Sequence, residues 1–255
     1  DGNDNIISNA VINQPGSDNI GLFGYLGEDS QIRNLGVEDV NVTGNNYVGG
    51  LVGCSSSWGT ITACYTTGAV SGTSGVGGLV GWNYFGTLTD CYATGLVSGT
   101  GNNVGGLVGG NGDTLTDCYA TGLVSGTNNV GGLVGYNYRG KVIRCYSTGK
   151  PTGTSNVGGL CGYKITGGDY EDTGNFWDTE TSEIGASVMG TGKTTVQMQT
   201  QSTFTGAGWD FSATDGDPAD WWIKANSYPR LGMWYSGGDG SAENPHKIAN
   251  VADWQ

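Results

Sequence analysis

Four cysteines recur at one spacing, and a tyrosine follows each of them. Cys64, Cys91, Cys118 and Cys145 are 27 residues apart, within TITACYTTG, TLTDCYATG, TLTDCYATG and KVIRCYSTG. Metal ligation is disfavoured, because the chain has no C-x2-C pair and one histidine, His246. If copies stack, successive cysteines lie ~4.8 Å apart, which suits either buried free thiols or bridges between neighbours. Both interpretations stay open from the sequence.

The residues after the cysteines form a second column with its own chemistry. If each cysteine points inward, the period of two along a strand turns the next side chain outward. An exposed aromatic stripe would suit glycan stacking or lateral contact, whereas rings stacked on one another would be structural support. GNFWDTE extends the pattern by placing Phe176 in the cysteine column. The predicted stripe is Tyr65, Tyr92, Tyr119, Tyr146 and Trp177.

Carboxylates also recur, but they do not gather into an acid–base site. Asp90 and Asp117 would stack one copy apart, flanked by Ala63 and Arg144 in the same column. Catalysis by paired carboxylates needs them to meet in a cleft, and the remaining acidic groups are scattered. The sequence therefore favours a protein that is not an enzyme. Inward-facing residues on both sides of Asp90 additionally require a corner there.

The hexapeptide VGGLVG indicates which elements position these residues. It opens at Val48, Val76, Val104, Val130 and Val157, the last copy reading VGGLCG. Fifty glycines are too many for helical repeats, and the runs between them are short and rich in β-formers. We predict an all-β, glycine-rich parallel β-solenoid of about seven coils of about 27 residues. The leucines at the centre of each hexapeptide should fill the interior: Leu51, Leu79, Leu107, Leu133 and Leu160.

The chain divides into three predicted segments. Residues 1–190 form the solenoid, residues 191–235 an aromatic-rich cap, and residues 236–255 the opening of a following module or an assembly tail. Thr194 and Gln197 fit a capping box at the start of a short helix. The aromatic residues of the cap are expected to cover the last coil, and a sugar-stacking platform is the alternative.

Composition limits the partners. The net charge of −13 and the absence of a basic patch argue against nucleic acid. No apolar run approaches ~20 residues, so membrane insertion is not expected. No cofactor is predicted. Calcium is a weaker alternative at two acidic clusters, neither of which matches an EF-hand: Asp215, Asp217 and Asp220, and Asp239 with Glu243.

Taken together, VGGLVG, the asparagine two residues later and CYATG resemble the GLUG repeat. FWDTETS, GKTTVQMQ, AGWDF and YPRLGMW resemble the segment that follows GLUG blocks, and GGDGSAENPHKIANVADWQ resembles the segment that opens them. The resemblance implies a bacterial surface or adhesin-type protein and supplies no catalytic residues. We expect an extracellular, non-enzymatic structural or adhesive module whose partners are further copies or surface glycans. A carbohydrate-binding or carbohydrate-active solenoid is the alternative. The candidate assembly tail includes Pro245, Ile248 and Trp254.

Overall fold

The computed structural model describes residues 1–56, 58–165, 171–211 and 221–232. Short strands separated by bends wind into successive coils from residue 5 to residue 164. The first three coils contain β1 (Asn5–Ser8), β2 (Val11–Asn13), β3 (Phe23–Leu26), β4 (Gln31–Thr43), β5 (Asn46–Gly49), β6 (Val52–Ser55), β7 (Thr60–Gly72), β8 (Ser74–Gly77) and β9 (Val80–Asn83).

The next three coils repeat this arrangement with shorter strands. They contain β10 (Thr87–Thr89), β11 (Tyr92–Ala93), β12 (Leu96–Gly99), β13 (Asn102–Gly105), β14 (Val108–Asn111), β15 (Leu115–Thr116), β16 (Tyr119–Ala120), β17 (Val124–Ser125), β18 (Asn128–Gly131), β19 (Val134–Asn137), β20 (Val142–Ile143), β21 (Tyr146–Ser147), β22 (Pro151–Thr152), β23 (Ser155–Gly158) and β24 (Cys161–Lys164).

A partial turn and a C-terminal segment follow the sixth coil. Their elements are β25 (Asp172–Thr173), β26 (Phe176–Asp178), α1 (Thr179–Ser182), β27 (Thr191–Lys193), α2 (Thr195–Met198), α3 (Gln201–Thr205), β28 (Trp221–Trp222) and β29 (Arg230–Leu231). Thr194 and Gln197 form the predicted capping box at α2.

Strands of neighbouring coils pair in parallel and in register. They form three sheets: sheet 1 with 16 strands, sheet 2 (β5, β8, β13, β18, β23) and sheet 3 (β3, β6, β9, β14, β19, β24). Identical residues face each other across the pairs, as Tyr92 does with Tyr65 and Tyr119. The predicted all-β solenoid is therefore confirmed, with about six coils in the described residues. Among the described strands, only β28 and β29 pair in antiparallel orientation, as a small hairpin.

The interior is built from columns of apolar side chains. The central leucines of the hexapeptides are at most 1% exposed, and their backbone amides bond to the next coil, as Leu79 N does to Leu107 O at 3.0 Å. Stacking matching side chains buries each between two copies of itself, so the core needs no helix to cover it. The buried leucines are Leu51, Leu79, Leu107, Leu133 and Leu160.

The repeated glycines lie where the backbone approaches another wall of the coil. A Cβ at Gly106 would be 2.1 Å from the carbonyl oxygen of Gly132 and 2.9 Å from the Cβ of Ala120 across the interior. A Cβ at Gly105 would be 2.1 Å from the carbonyl oxygen of Val108. Only glycine fits at these two positions. Each coil repeats the same close approach, which explains why the hexapeptide recurs.

The predicted corner near Asp90 is present in sheet 1. Ala63, Asp90, Asp117 and Arg144 occupy the same place in successive coils and all have left-handed backbone, with φ between 48° and 55°. This reversal lets Leu88 and Cys91, three residues apart, both point into the core. The bend costs little at aspartate, which tolerates this conformation better than most residues.

A column of asparagines supports the outer wall of the coils. Asn83, Asn111 and Asn137 are 0% exposed. Asn83 Nδ2 donates to Asn111 Oδ1 at 3.0 Å, and Asn111 Nδ2 donates to Asn137 Oδ1 at 2.9 Å. Each amide also bonds to its own turn, as Asn83 Nδ2 does to the Gly86 carbonyl at 2.6 Å. The asparagine amides can be buried because these hydrogen bonds satisfy their donors and acceptors.

Candidate functional site

The tyrosine column is a continuous stack of rings. Tyr65, Tyr92, Tyr119 and Tyr146 have successive centroid distances of 4.8, 4.7 and 5.0 Å and interplanar angles of 5–8°. They point away from the core, as the period of two predicts. Yet Tyr65, Tyr119 and Tyr146 are only 4%, 7% and 1% exposed. An open stripe for ligands is thus largely absent along this column.

Trp177 does not belong to this column, so that part of the prediction is wrong. Phe176 pairs with Tyr146, and Trp177 pairs with Ser147 one position further on. Trp177 turns inward, and its Nε1 donates to the Ile184 carbonyl at 2.9 Å. The coil that leads to β26 is longer than 27 residues, and its corner falls at Gly174. The register of Phe176 and Trp177 is therefore shifted by one residue from the predicted one.

Asn175 takes the place that the sequence assigned to Phe176. Its Oδ1 accepts from the Cys145 amide at 2.8 Å, and its Nδ2 donates to the Val142 carbonyl at 2.6 Å. In the first coil, Asn5 pairs with Leu35, which lies opposite Cys64. At both ends of the solenoid an asparagine occupies the cysteine column, and the letters of the repeat do not fix the register there.

The C-terminal segment covers the tyrosine column from the side. Trp209, Trp221 and Tyr228 all lie within 6.4 Å of the Tyr146 ring, measured between centroids. Tyr146 Oη donates to the Pro229 carbonyl at 2.6 Å. The aromatic residues of the cap therefore pack along the flank of the last coils.

Polar bonds at the edges of the cap fix its position. Trp221 Nε1 donates to Asp117 Oδ1 at 3.0 Å, and Arg144 makes a bidentate pair with the same carboxylate at 2.8 and 2.5 Å. Tyr228 Oη donates to Asp178 Oδ2 at 2.7 Å. We call the cluster of Tyr146, Trp209, Trp221 and Tyr228 the clasp. Asp117 serves it as an acceptor, so its carboxylate is engaged in structure.

All six cysteines are buried free thiols. The four of the repeat donate to backbone carbonyls, as Cys91 Sγ does to Thr89 O at 3.1 Å. Burial raises the pKa of Cys64 to about 11, and it also raises the pKa values of Cys91, Cys118 and Cys145. A protonated, enclosed thiol is a poor nucleophile and a poor metal ligand. This column therefore acts as core packing.

A second aromatic column, on the outside of sheet 3, escaped the sequence analysis. Tyr136 and Tyr163 stack at 5.8 Å and 7°, and Trp82 approaches Tyr136 at 6.0 Å across the intervening coil. The signal was available: the residue between the hexapeptide and its asparagine is aromatic in several coils. We define the outer aromatic face as Tyr47, Trp82, Tyr84, Tyr136, Tyr138 and Tyr163.

The outer aromatic face is open where the tyrosine column is closed. Tyr84, Tyr138 and Tyr163 are 37%, 48% and 42% exposed. Burial and the neighbouring Tyr47 hydroxyl raise the pKa of Tyr84 to about 12, so its hydroxyl stays a donor at neutral pH. The Arg139 guanidinium lies 5.7 Å from the centre of the Tyr138 ring. This face can offer ring surfaces, hydroxyls and a cation to a ligand.

Within the described ranges, no three histidine, cysteine, aspartate or glutamate side chains are grouped to hold a metal ion. The calcium candidates Asp215, Asp217, Asp220, Asp239 and Glu243 lie outside those ranges, as do Pro245, Ile248 and Trp254 of the predicted tail. The helices that the structure describes are all too short and too polar to cross a bilayer.

The fold and its columns define the class as a parallel β-solenoid of stacked repeats. Four consecutive GLUG motifs occupy residues 44–71, 72–98, 100–125 and 126–152, which confirms the resemblance seen in the sequence. Residues 44–152 thus consist of four GLUG repeats. The motif boundaries recur at the same place in successive coils, at or within one residue of the ends of β4, β7, β12, β17 and β22.

Two known proteins are similar to parts of this chain. Halomucin of Haloquadratum walsbyi is 41% identical over 80 residues, which is 31% of this chain and 1% of halomucin. The chain thus spans a very small share of that relative. A crystal structure from Bacteroides ovatus, provisionally named an immunoglobulin A1 protease, superposes with a TM-score of 0.66. It shares 19% identity over 91% of this chain and 76% of its own, which shows a common fold.

Proposed function

We propose that this chain is a non-enzymatic, extracellular structural or adhesive module of a surface protein. The carrying observation is that its recurrent side chains are engaged in columns that stiffen one axis. Thiols fill the core, asparagines link the coils and tyrosines stack beneath the clasp. The similarity to halomucin supports a place at the cell surface.

Stiffness is the property that such a module contributes. Each coil bonds to its neighbours through backbone pairs in three sheets, so bending the rod requires many hydrogen bonds to open together. The strong negative charge favours solubility and opposes contact between the sides of such rods. A rigid rod then holds the outer aromatic face in a fixed position within the surface protein.

Localisation tests this proposal directly. Antibodies raised against residues 44–152 should label intact cells of the source organism, and external protease should remove the label. Labelling that requires cell lysis would contradict a surface role. A cytoplasmic protein of similar abundance provides the control for cell integrity.

The second candidate is a carbohydrate-active solenoid, and the outer aromatic face is the observation that favours it. Incubation with a panel of oligosaccharides, followed by chromatography of the products, separates binding from turnover. We expect unchanged oligosaccharides, because Asp117 is held by Arg144 and Trp221. New reducing ends would overturn the non-enzymatic assignment.

Head-to-tail assembly is part of the same proposal, with residues 236–255 as the connecting segment. Deleting Gly237 to Gln255 should abolish filaments in electron micrographs and leave the circular dichroism of the coils unchanged. Filaments that persist after this deletion would exclude the tail as the connector.

A further inference from the structure

We propose that the outer aromatic face binds a linear acidic polysaccharide that lies along the solenoid axis. The assignment rests on the proposed adhesive role and names its ligand class. Pyranose rings would pack on Trp82, Tyr136 and Tyr163, and acidic substituents would pair with Arg139. No other aromatic cluster in the described residues combines this exposure with an adjacent cation.

The spacing of the rings suits a polymer. Trp82, Tyr136 and Tyr163 occupy one column of sheet 3, in which successive coils lie ~4.8 Å apart, comparable to one sugar unit per coil. Gly110 fills the column between Trp82 and Tyr136, and a Cβ there would lie 2.5 Å from the indole of Trp82. The glycine thus lets the indole lie flat along the axis.

Ring orientation leaves surface for a ligand. The centroids of Tyr136 and Tyr163 are 5.8 Å apart although the rings are nearly parallel, so the two rings are offset. Tyr138 extends the face sideways at 6.3 Å from Tyr136. Tyrosine combines an apolar ring with a hydroxyl, which matches the alternating C–H and O–H groups of a sugar.

Charge selects an acidic ligand. The chain contains 23 acidic residues, yet none lies in the six strands of sheet 3. The three ion pairs of the described residues use Arg33, Arg144 and Lys150, and Arg139 belongs to none of them. Most of the surface repels an acidic polymer, whereas the strands of sheet 3 carry no carboxylate. This difference confines binding to the outer aromatic face.

Affinity electrophoresis of the full chain in gels containing polygalacturonate tests the proposal, with hydroxyethyl cellulose as the neutral polymer. We expect retardation by polygalacturonate only. The double variant Tyr136→Ala/Tyr163→Ala should raise the apparent Kd roughly tenfold or more. Arg139→Gln should raise it roughly threefold and flatten its dependence on salt.

Matched controls separate the face from general effects. Leu123→Ala removes a 60% exposed apolar side chain next to β17, and Lys224→Gln removes one positive charge elsewhere. Both should bind as the wild type does, and circular dichroism should show all variants folded.

Three results would overturn the assignment. Equal retardation by the neutral polymer would exclude the acidic ligand, and unchanged binding by the double variant would exclude this face. Loss of self-association in the double variant, measured by sedimentation without any glycan binding, would identify a second copy as the occupant. Surface labelling of cells is independent of all three, so the localisation proposal can stand or fall separately.

Discussion

Asn111 links three coils through one side chain. It accepts from Asn83, and it donates to Asn137 and to the carbonyl of Asp113 at 2.8 Å. Asn111 is 0% exposed, so solvent cannot replace the bonds that its amide makes to Asn83 and Asn137. The same residue type outside the core, at Asn128, makes a comparable bond to Asn102 at 2.8 Å in a more open setting.

Replacing Asn111 by alanine should therefore lower the free energy of unfolding by about 2–4 kcal/mol, since two buried groups lose their partners. Asn128→Ala is the control and should cost less than about 1 kcal/mol. Urea unfolding followed by circular dichroism measures both. Equal losses in the two variants would show that burial of the amide column is irrelevant to stability.

The buried thiols predict a fall in stability in alkali. Burial raises the pKa of Cys64 from 9.0 to about 11, so the folded state holds its proton longer than the unfolded chain does. The stabilisation is complete below pH 9 and is lost as the pH rises toward 11. Urea midpoints measured under reducing conditions at increasing pH should decline over this window.

Cys64→Val provides the control for that titration. It removes one thiol while keeping an apolar side chain, and it should make the alkaline decline shallower by about 2 kcal/mol at most. Stability that is constant up to pH 11 in the wild type would contradict the raised pKa values.

At the scale of elements, the clasp joins the C-terminal segment to the flank of the solenoid. Trp209 is 3% exposed and donates from Nε1 to the Gly174 carbonyl at 2.8 Å. Its ring lies 4.4 Å from Trp221 and 4.9 Å from Phe204, between centroids. Removing it would leave a cavity at the centre of a small second core, to which residues 198–211 and 221–231 contribute.

Trp209→Ala should destabilise the clasp by about 3–5 kcal/mol. Because the coils have their own core, we expect protease cleavage between residues 194 and 232 to accelerate while residues 30–165 resist. Val196→Ala, at a side chain that is 73% exposed, is the control. Mass spectrometry of the fragments decides, and simultaneous digestion of the coils would contradict independent cores.

At the scale of the whole molecule, repulsion among the negative charges destabilises the folded chain. The chain carries −13 at neutral pH, and its described surface forms only three ion pairs. Long-range repulsion between carboxylates is screened by salt. The outer aromatic face lies within this acidic surface, with Arg139 at its side and Asp113 in the neighbouring turn.

Raising sodium chloride from about 20 mM to about 0.5 M should therefore increase the Tm at pH 7 by several degrees. The same increase in salt near the isoelectric point of 4.1 should have a much smaller effect, because the net charge there is close to zero. Differential scanning calorimetry measures both. A similar salt effect at the two pH values would indicate general salting-out rather than relief of repulsion.

The sequence by itself determined the repeat, the parallel solenoid, the inward leucines and cysteines, and the corner near Asp90. These features follow from letters within about 30 residues of each other, because each coil contacts chiefly the next. The sequence could not place the register of Trp177, where the period lapses. It also missed the outer aromatic face, because aromatic letters alone do not say which column stays open.

Only the tertiary structure decided that the tyrosine column is covered and the face on sheet 3 is open. The covering contacts join Tyr146 to Pro229 and Asp117 to Trp221, across 83 and 104 residues. No period links such distant positions, so the packing of the second core alone selects which flank the C-terminal segment occupies. The local repeat therefore determines the rod, and long-range packing determines which side of it stays exposed.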